Sequence, residues 1–474
     1  MSTGTFYVAV ALYVVLVCGI GLFSFRRASS SEGFLVAGRS LGPILGGATL
    51  MANQVSAGAT IGMVGFHYFS GLSYAWTWPL VWIGWLIAAV FVAPKIRNIK
   101  GLTLPDYFAE RFESAACRAV AAVFILIAYT VMLSAQFQAG GLLFTLVGGV
   151  NYTQAILLVA GITALYTMLG GMYGNAYVGL LKAILLLGSY ALAVPFLWKA
   201  VGGIESVGNA LHALDPRLTG NWFGWRQLMA ISFAIGLGIA AAPYEISAIY
   251  AMQSRRAARL AIGWSFVFQG CIGLGILYFG LAARVAVPYL PNPDLGTPTL
   301  GMSILPGWLG MLVLLAAVVT FTRTGGAILL TAAAAVSHDL YGKLIRPKAD
   351  DRTKVFVSRL SVVVFSAIPV ALALRQFDLV NFIVIYAAKL TVSFLFVPVV
   401  LGLHWRRGTR AGALASMVGG LSTCVVASLV GRPYFFGLDP AEAGVLASAI
   451  AFVGVSILTR PVSQDRLDVF FPRS

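Results

Sequence analysis

The residues that could do chemistry are four ionisable side chains placed where lipid-crossing chains rarely carry charge. Arg323 stands alone near the middle of the apolar run Met311 to Val336. An isolated arginine at the centre of a membrane helix costs roughly 2.5 to 3.5 kcal/mol, so it must face a cavity, a pathway or a partner. Lys389 lies roughly ten residues, or about 15 Å, into a later apolar run, too deep to reach an interface easily, and reads as a cavity or binding group, with a structural ion pair as the alternative. Lys182 is closer to the end of its own run and can either snorkel to the interface or serve the pathway. Glu245 follows Pro243, where a helix break would leave carbonyls and amides unpaired. Its default role is to pair with Arg323, Lys389 or Lys182; the alternative is a proton-carrying carboxylate. Three bases against one acid imply that an anionic or zwitterionic solute, such as a monocarboxylate or an amino acid, completes the charge balance.

The elements that must position these groups follow from composition. Of 474 residues, 59% are hydrophobic and 10% are charged, against about 25% charged in soluble domains. Mean hydropathy is +0.89. The chain therefore reads as an all-α polytopic membrane protein. The formal charge of +16 is spread over short loops rather than gathered on one basic arm, which argues against a nucleic-acid partner. Cys18, Cys117, Cys271 and Cys424 stand singly, and His67, His212, His338 and His404 have no Asp or Cys at ligand spacing. No metal, cofactor or catalytic constellation is expected, and no enzyme.

With about 20 apolar residues needed per crossing, thirteen spans are expected. They fall near 5–25, 42–66, 73–94, 119–147, 152–169, 175–198, 228–252, 260–284, 306–337, 356–374, 379–404, 411–430 and 442–459. Loops carrying Arg26, Arg27 and Arg39, then Lys95, Arg97, Lys100 and Arg111, then Arg255, Arg256 and Arg259 share one face under this count. So do Lys343, Arg346, Lys348, Arg352 and Lys354, and Arg406, Arg407 and Arg410. The positive-inside rule then puts the N-terminus outside and the C-terminus in the cytoplasm of a cell membrane, with a bacterial inner membrane as the natural setting. The first apolar stretch lacks a basic leader and precedes Arg26 and Arg27, so it is expected to stay as a span. The segments 199–226 and 285–304 are expected to hold short helices or lids.

Two spans are discontinuous in character. Met51 to Gly65 (MANQVSAGATIGMVG) dilutes its apolar run with small and polar residues, and Ala234 to Ser247 contains Pro243. They stand five spans apart, as the broken helices of inverted-repeat transporters do, and such breaks line a midplane site. Gln54, Ser56, Thr60, Trp76, Gln136, Tyr244, Glu245 and Lys389 are the expected solute-binding groups. The bland readings are close packing for the glycines, interhelical bonding for Gln136 and simple packing for most of Trp76, Trp78, Trp82 and Trp85.

FLVAGRSLGP (Phe34 to Pro43), the diluted span, LTLPDYFAERF (Leu102 to Phe112), AQFQAGGLLF (Ala135 to Phe144), ALYTMLGGMYG (Ala164 to Gly174), SHDLYGKL (Ser337 to Leu344) and LGLHWRRGTRAGALASMVGG (Leu401 to Gly420) occur in an order that resembles the sodium:solute symporter family. The resemblance implies the inverted-repeat fold of the bacterial leucine transporter and a carrier working by alternating access. Residues 1–40 would form an extra helix and first loop, 41–200 and 201–405 the two repeats of five spans, and 406–474 two further helices and a tail. It also implies a sodium site at Ala52 and Val55 on the broken span and at Thr320, Arg323 and Thr324 on the ninth. One hydroxyl position there has become a guanidinium, which would oppose a sodium ion in the same hole. Similar transporters read aromatic-Thr-Asp-x-x-Gln in the sixth span, where this chain has Tyr177, Val178, Gly179, Leu180, Leu181 and Lys182. The expected ion-route positions are therefore Gly179, Lys182 and Glu245. With the carboxylate lost and two cations gained, the expectation is a sodium-independent carrier with Arg323 filling the ion site. The alternatives are a proton- or sodium-coupled symporter of a neutral solute, or a transporter-like membrane sensor. Expected partners are a small-molecule solute, the bilayer and protons, with no obligate protein partner.

Overall fold

A computed structural model describes residues 3–97, 99, 101–376, 378–430 and 437–471. Lys100, counted above among the loop cations, lies outside them. Among the described residues every secondary-structure element is a helix, as lipid demands of chains that satisfy their backbone internally. In chain order the main helices are α1 (Thr3–Phe25), α2 (Pro43–Gln54), α3 (Val64–Ser70), α4 (Ser73–Ile96), α5 (Ala115–Gly148), α6 (Tyr152–Val201), α7 (Trp225–Ala240) and α8 (Pro243–Ala251). They continue with α9 (Arg255–Ala286), α10 (Gly307–Ala334), α11 (Asp351–Ala373), α12 (Val380–His404), α13 (Arg410–Leu429) and α14 (Pro440–Leu458).

Eleven helices among the described residues are long and apolar enough to cross a membrane. The count differs from thirteen for two physical reasons. The second expected span is not one helix but α2, a wide π turn at Gly58–Met63, and α3. The fifth and sixth expected spans run together as α6, whose 50 residues would reach about 75 Å if straight, more than twice the hydrocarbon thickness. Gly171, with φ 52° and ψ −144°, bends it sharply. Residues on both sides of this bend meet one turn of α10: the Tyr166 hydroxyl donates to the Thr322 carbonyl at 2.8 Å, and Arg323 donates to the Asn175 carbonyl at 3.1 Å. A β-carbon at position 171 would lie 2.6 Å from the Phe34 carbonyl, so the bend requires glycine.

Helix α10 is the centre of the bundle. In its most apolar stretch 89% of residues are buried, against 28% in α1 and in α11, which are peripheral. Small residues let the helices close in; at Gly84 of α4 an added β-carbon would overlap the Gly236 carbonyl of α7 at 1.7 Å. At one end of the bundle, cationic loop residues tie successive connections together. Arg39 donates to the Gly101 carbonyl at 2.9 Å, Arg97 to that of Met252 at 2.8 Å, Lys95 to that of Leu403 and Arg111 to that of Gly402, both at 2.7 Å.

Candidate cation site and solute cavity

The first break starts from poor helix formers. Val55, Ser56 and Gly58 follow the last turn of α2, and Val55 leaves the helical region at φ −71°, ψ 80°. The freed amides find local acceptors: the Ala57 N–H donates to Gln136 Oε1 at 3.0 Å and that of Gly58 to Ser56 Oγ at 3.1 Å. The freed carbonyls take a cation. Lys182 Nζ donates to the Ala52 carbonyl at 2.8 Å, to the Val55 carbonyl, and to Thr324 Oγ1 at 3.0 Å, with the Thr320 carbonyl 3.5 Å away. An ammonium has three donors, so three near oxygens and one distant one saturate it. Lys182 is fully buried.

This arrangement corrects one expectation and decides between two readings. Arg323 does not occupy the ion position, and Lys182, which could snorkel or serve the pathway, is turned into the bundle. The Arg323 guanidinium passes beside the site and bonds to Asn53 Oδ1, the Thr49 carbonyl at 3.3 Å and the Asn175 carbonyl, stapling α2 to the far side of the α6 bend. Thr320 and Thr324 are one turn apart on a single face of α10, whereas position 323 looks out along its flank, so a long side chain there reaches the Thr49 carbonyl and the Asn53 side chain of α2 and not the Ala52 and Val55 carbonyls. Gly179 makes room for it, since a β-carbon there would stand 3.2 Å from Arg323 Nε and 3.3 Å from the Ala52 side chain. The hydrogen-bond partners of both buried cations are neutral dipoles.

The second break is marked by proline. Ala242 is extended, Pro243 opens α8 at its first position, and the Tyr244 N–H donates to the Tyr129 hydroxyl at 3.0 Å. Between the two breaks and helices α4, α5, α9 and α12 lies a cavity of about 150 Å³. Gln54, Ser56, Tyr74, Trp78, Tyr244 and Asn381 give it polar edges on an otherwise apolar wall, and among the described residues no charged side chain lines it. Glu245 sits just behind: Gln54 Nε2 donates to Glu245 Oε1 at 2.8 Å and lies 3.2 Å from the Tyr244 hydroxyl, while Glu245 Oε2 is buried with no partner among the described residues. The expected pairing of Glu245 with a cation is thus replaced by pairing with an amide. Asn53 links the two sites, accepting from Arg323 and donating to the Tyr244 carbonyl at 3.3 Å.

The other expected solute-binding groups are dispersed. Lys389 pairs with Asp439 at 2.7 Å instead of lining the cavity, because Asp439, at the start of α14, offers a full charge nearby. Trp76 is 58% exposed and packs against Trp225. Thr60 and Gln136 are buried against the broken span without reaching the cavity wall; the Thr60 carbonyl accepts from Thr297 at 2.6 Å. Sequence reasoning missed Asn53, Tyr74, Tyr129, Asn175 and Asn381 in this region, and it took Trp78 and Trp82, which line the cavity, for packing aromatics. Only Asn53 carried a signal, as a polar neighbour of Gln54 in the diluted span.

His338, expected to lack an acidic neighbour, lies 3.0 Å from Asp106 and adjoins Asp339. Arg118 is 2.7 Å from Asp106 and 3.3 Å from Asp339, so a guanidinium already compensates these carboxylates. Burial alone would raise the Asp106 carboxyl, but the His338 and Arg118 contacts outweigh it and hold it well below the usual carboxylate range. The cluster latches the start of the Leu104–Phe112 helix to α5 and to the extension of α10.

A bundle with two broken helices flanking a buried cavity and a cation-binding carbonyl ring has the build of a secondary transporter. The sodium:solute symporter family model matches residues 34–420, and the chain belongs to that family. It is 28% identical to the high-affinity proline transporter PutP of Bacillus subtilis, over 95% of this chain and 98% of that one. It is 27% identical to the osmoregulated proline transporter OpuE of the same organism, over 98% and 96%. With a sodium/proline symporter of Escherichia coli it shares 28% identity over 96% and 93%. A Na+-coupled sialic acid symporter of solved structure superposes with a TM-score of 0.84 at 17% identity, covering 97% of this chain and 99% of that one; that likeness shows the shared leucine-transporter-type fold. The protein is therefore a multi-pass membrane carrier and not an enzyme. The expectation of a sodium-independent carrier is overturned: relatives matching along nearly the full chain are sodium/proline symporters, and Arg323, which was to fill the ion position, is not in it.

Proposed function

We propose that this chain is a sodium-coupled symporter of a small zwitterionic solute of the proline class. The observation that carries the reading is Val55, whose side chain lines the cavity while its carbonyl belongs to the cation ring, so solute and ion share one unwound residue. The names of the relatives supply the ion and the solute class. The cavity favours a zwitterion over a monocarboxylate, because its wall offers dipoles and apolar surface but no cation. An amine can face Gln54, Tyr244 and the Glu245 carboxylate behind them. Glu245 Oε2, buried without a partner, is the position at which a proton would travel if protons add to the coupling.

Repeats 41–200 and 201–405 would rock about this site, with the cationic loops in the cytoplasm, the N-terminus outside and the carrier in a bacterial inner membrane. Uptake of labelled proline into proteoliposomes tests the reading. An inward sodium gradient is expected to drive accumulation above equilibrium; absence of proline uptake, or uptake indifferent to the gradient, contradicts it.

A further inference from the structure

We propose that Lys182 is a tethered competitor for the cation site, holding with its own ammonium the oxygens that a carried sodium ion needs. The inference rests on the functional reading in one respect, that a sodium ion passes through this ring. The ring is built from the Ala52, Val55 and Thr320 carbonyls and the Thr324 hydroxyl, and Lys182 Nζ lies within hydrogen-bonding distance of all four. Two cations cannot share so small a ring. At about 4 Å separation they repel by about 4 kcal/mol even at an effective dielectric near 20. An arriving ion must therefore drive the lysine out.

The partners distinguish this from a structural lysine. A structural lysine in this bundle, Lys389, has a carboxylate; Lys182 is buried on neutral oxygens, two of them carbonyls of a broken backbone and two from α10. Without the ammonium the Val55 carbonyl would lose its donor and that of Ala52 would keep only the Thr324 hydroxyl, at 2.9 Å, so the ammonium also keeps the break formed while no ion is present. Its departure transfers that role to the ion, and because Val55 also lines the cavity the exchange is felt at the solute site.

The test is ²²Na binding to the solubilised full chain, alongside the sodium dependence of proline uptake, for the natural protein and for Lys182→Met and Lys182→Gln. Both variants are expected to bind sodium at least about tenfold more tightly, corresponding to about 1.4 kcal/mol. Unchanged sodium affinity in a variant that elutes and melts as a folded protein overturns the proposal. A measurement on the unmutated chain covers the case in which neither variant folds. Acetylation of Lys182 by acetic anhydride, followed by mass spectrometry, is expected to rise as sodium is titrated in, and labelling indifferent to sodium overturns the proposal. If natural uptake ignores sodium while Lys182→Met gains sodium affinity, the functional reading fails and the competitor stands. If uptake is sodium-driven and both variants keep the natural affinity, the reverse holds.

Discussion

Lys182 and Lys389 are the same side chain placed in two apolar helices, and the protein treats them in opposite ways. Lys389 of α12 meets a full negative charge, Asp439, which also caps α14 in concert with Glu442, and its side chain remains 19% exposed near the rim. Lys182 of α6 is completely buried and is held by backbone dipoles of a break in another helix. A charge pair is a latch whose two halves have no better partner. A cation on carbonyls sits in a hole that any cation of similar reach could fill. The difference separates a rim that must stay fastened from a centre that must be able to exchange.

The largest expected effect is at the other buried cation, beside the central lysine. Arg323→Met leaves Asn53, the Thr49 carbonyl and the Asn175 carbonyl without their charged donor. Hydrogen bonds to charged groups contribute about 1.5 to 3 kcal/mol each, offset here by release of a buried charge. Initial uptake is expected to fall at least about tenfold, with Arg323→Lys failing to restore it because an ammonium cannot span three separated acceptors. A methionine variant with natural uptake would show that the staple between α2 and α6 is idle.

Next comes Glu245→Gln, which keeps the shape behind Gln54 and removes the charge. The solute concentration for half-maximal uptake is expected to rise about tenfold with little change in maximal rate, because the group orients the solute's amine and does not hold the bundle together. An unchanged half-saturating concentration would place the amine elsewhere.

The smallest effect on transport is expected at the rim. Lys389→Met should keep uptake and its sodium dependence within about twofold while lowering stability by about 1–2 kcal/mol, read by thermal melting. A double-mutant cycle with Asp439→Asn should return a coupling of about 1 kcal/mol. A shift in sodium dependence at Lys389 would erase the contrast between latch and exchangeable cation.

Much of the architecture was legible from the residues. Pro243 announces the second break, because it lacks the donor and fixes the dihedral that an uninterrupted helix needs. The first break, lacking proline, was visible as a dilution of the apolar run by Ser56, Gly58 and their neighbours. The α6 bend was read as a gap between two spans, whereas Gly171 turns the helix without a loop. The site was half legible. Positions 52, 55, 320 and 324 do come together, but which cation stands among them depends on how far two long side chains reach across three helices. Linear spacing contains no such information. The same limit hid Asp106 beside His338 and made Lys389 look like a cavity group, since its partner Asp439 lies fifty positions away.

The most direct test of Lys182 in the cation ring is a cryo-EM map of the protein in sodium-free medium. Continuous side-chain density from α6 ending between the Ala52 and Val55 carbonyls and the Thr324 hydroxyl is the predicted result. A map with the Lys182 side chain directed away from those oxygens, and the ring open or filled by Arg323, would contradict the account.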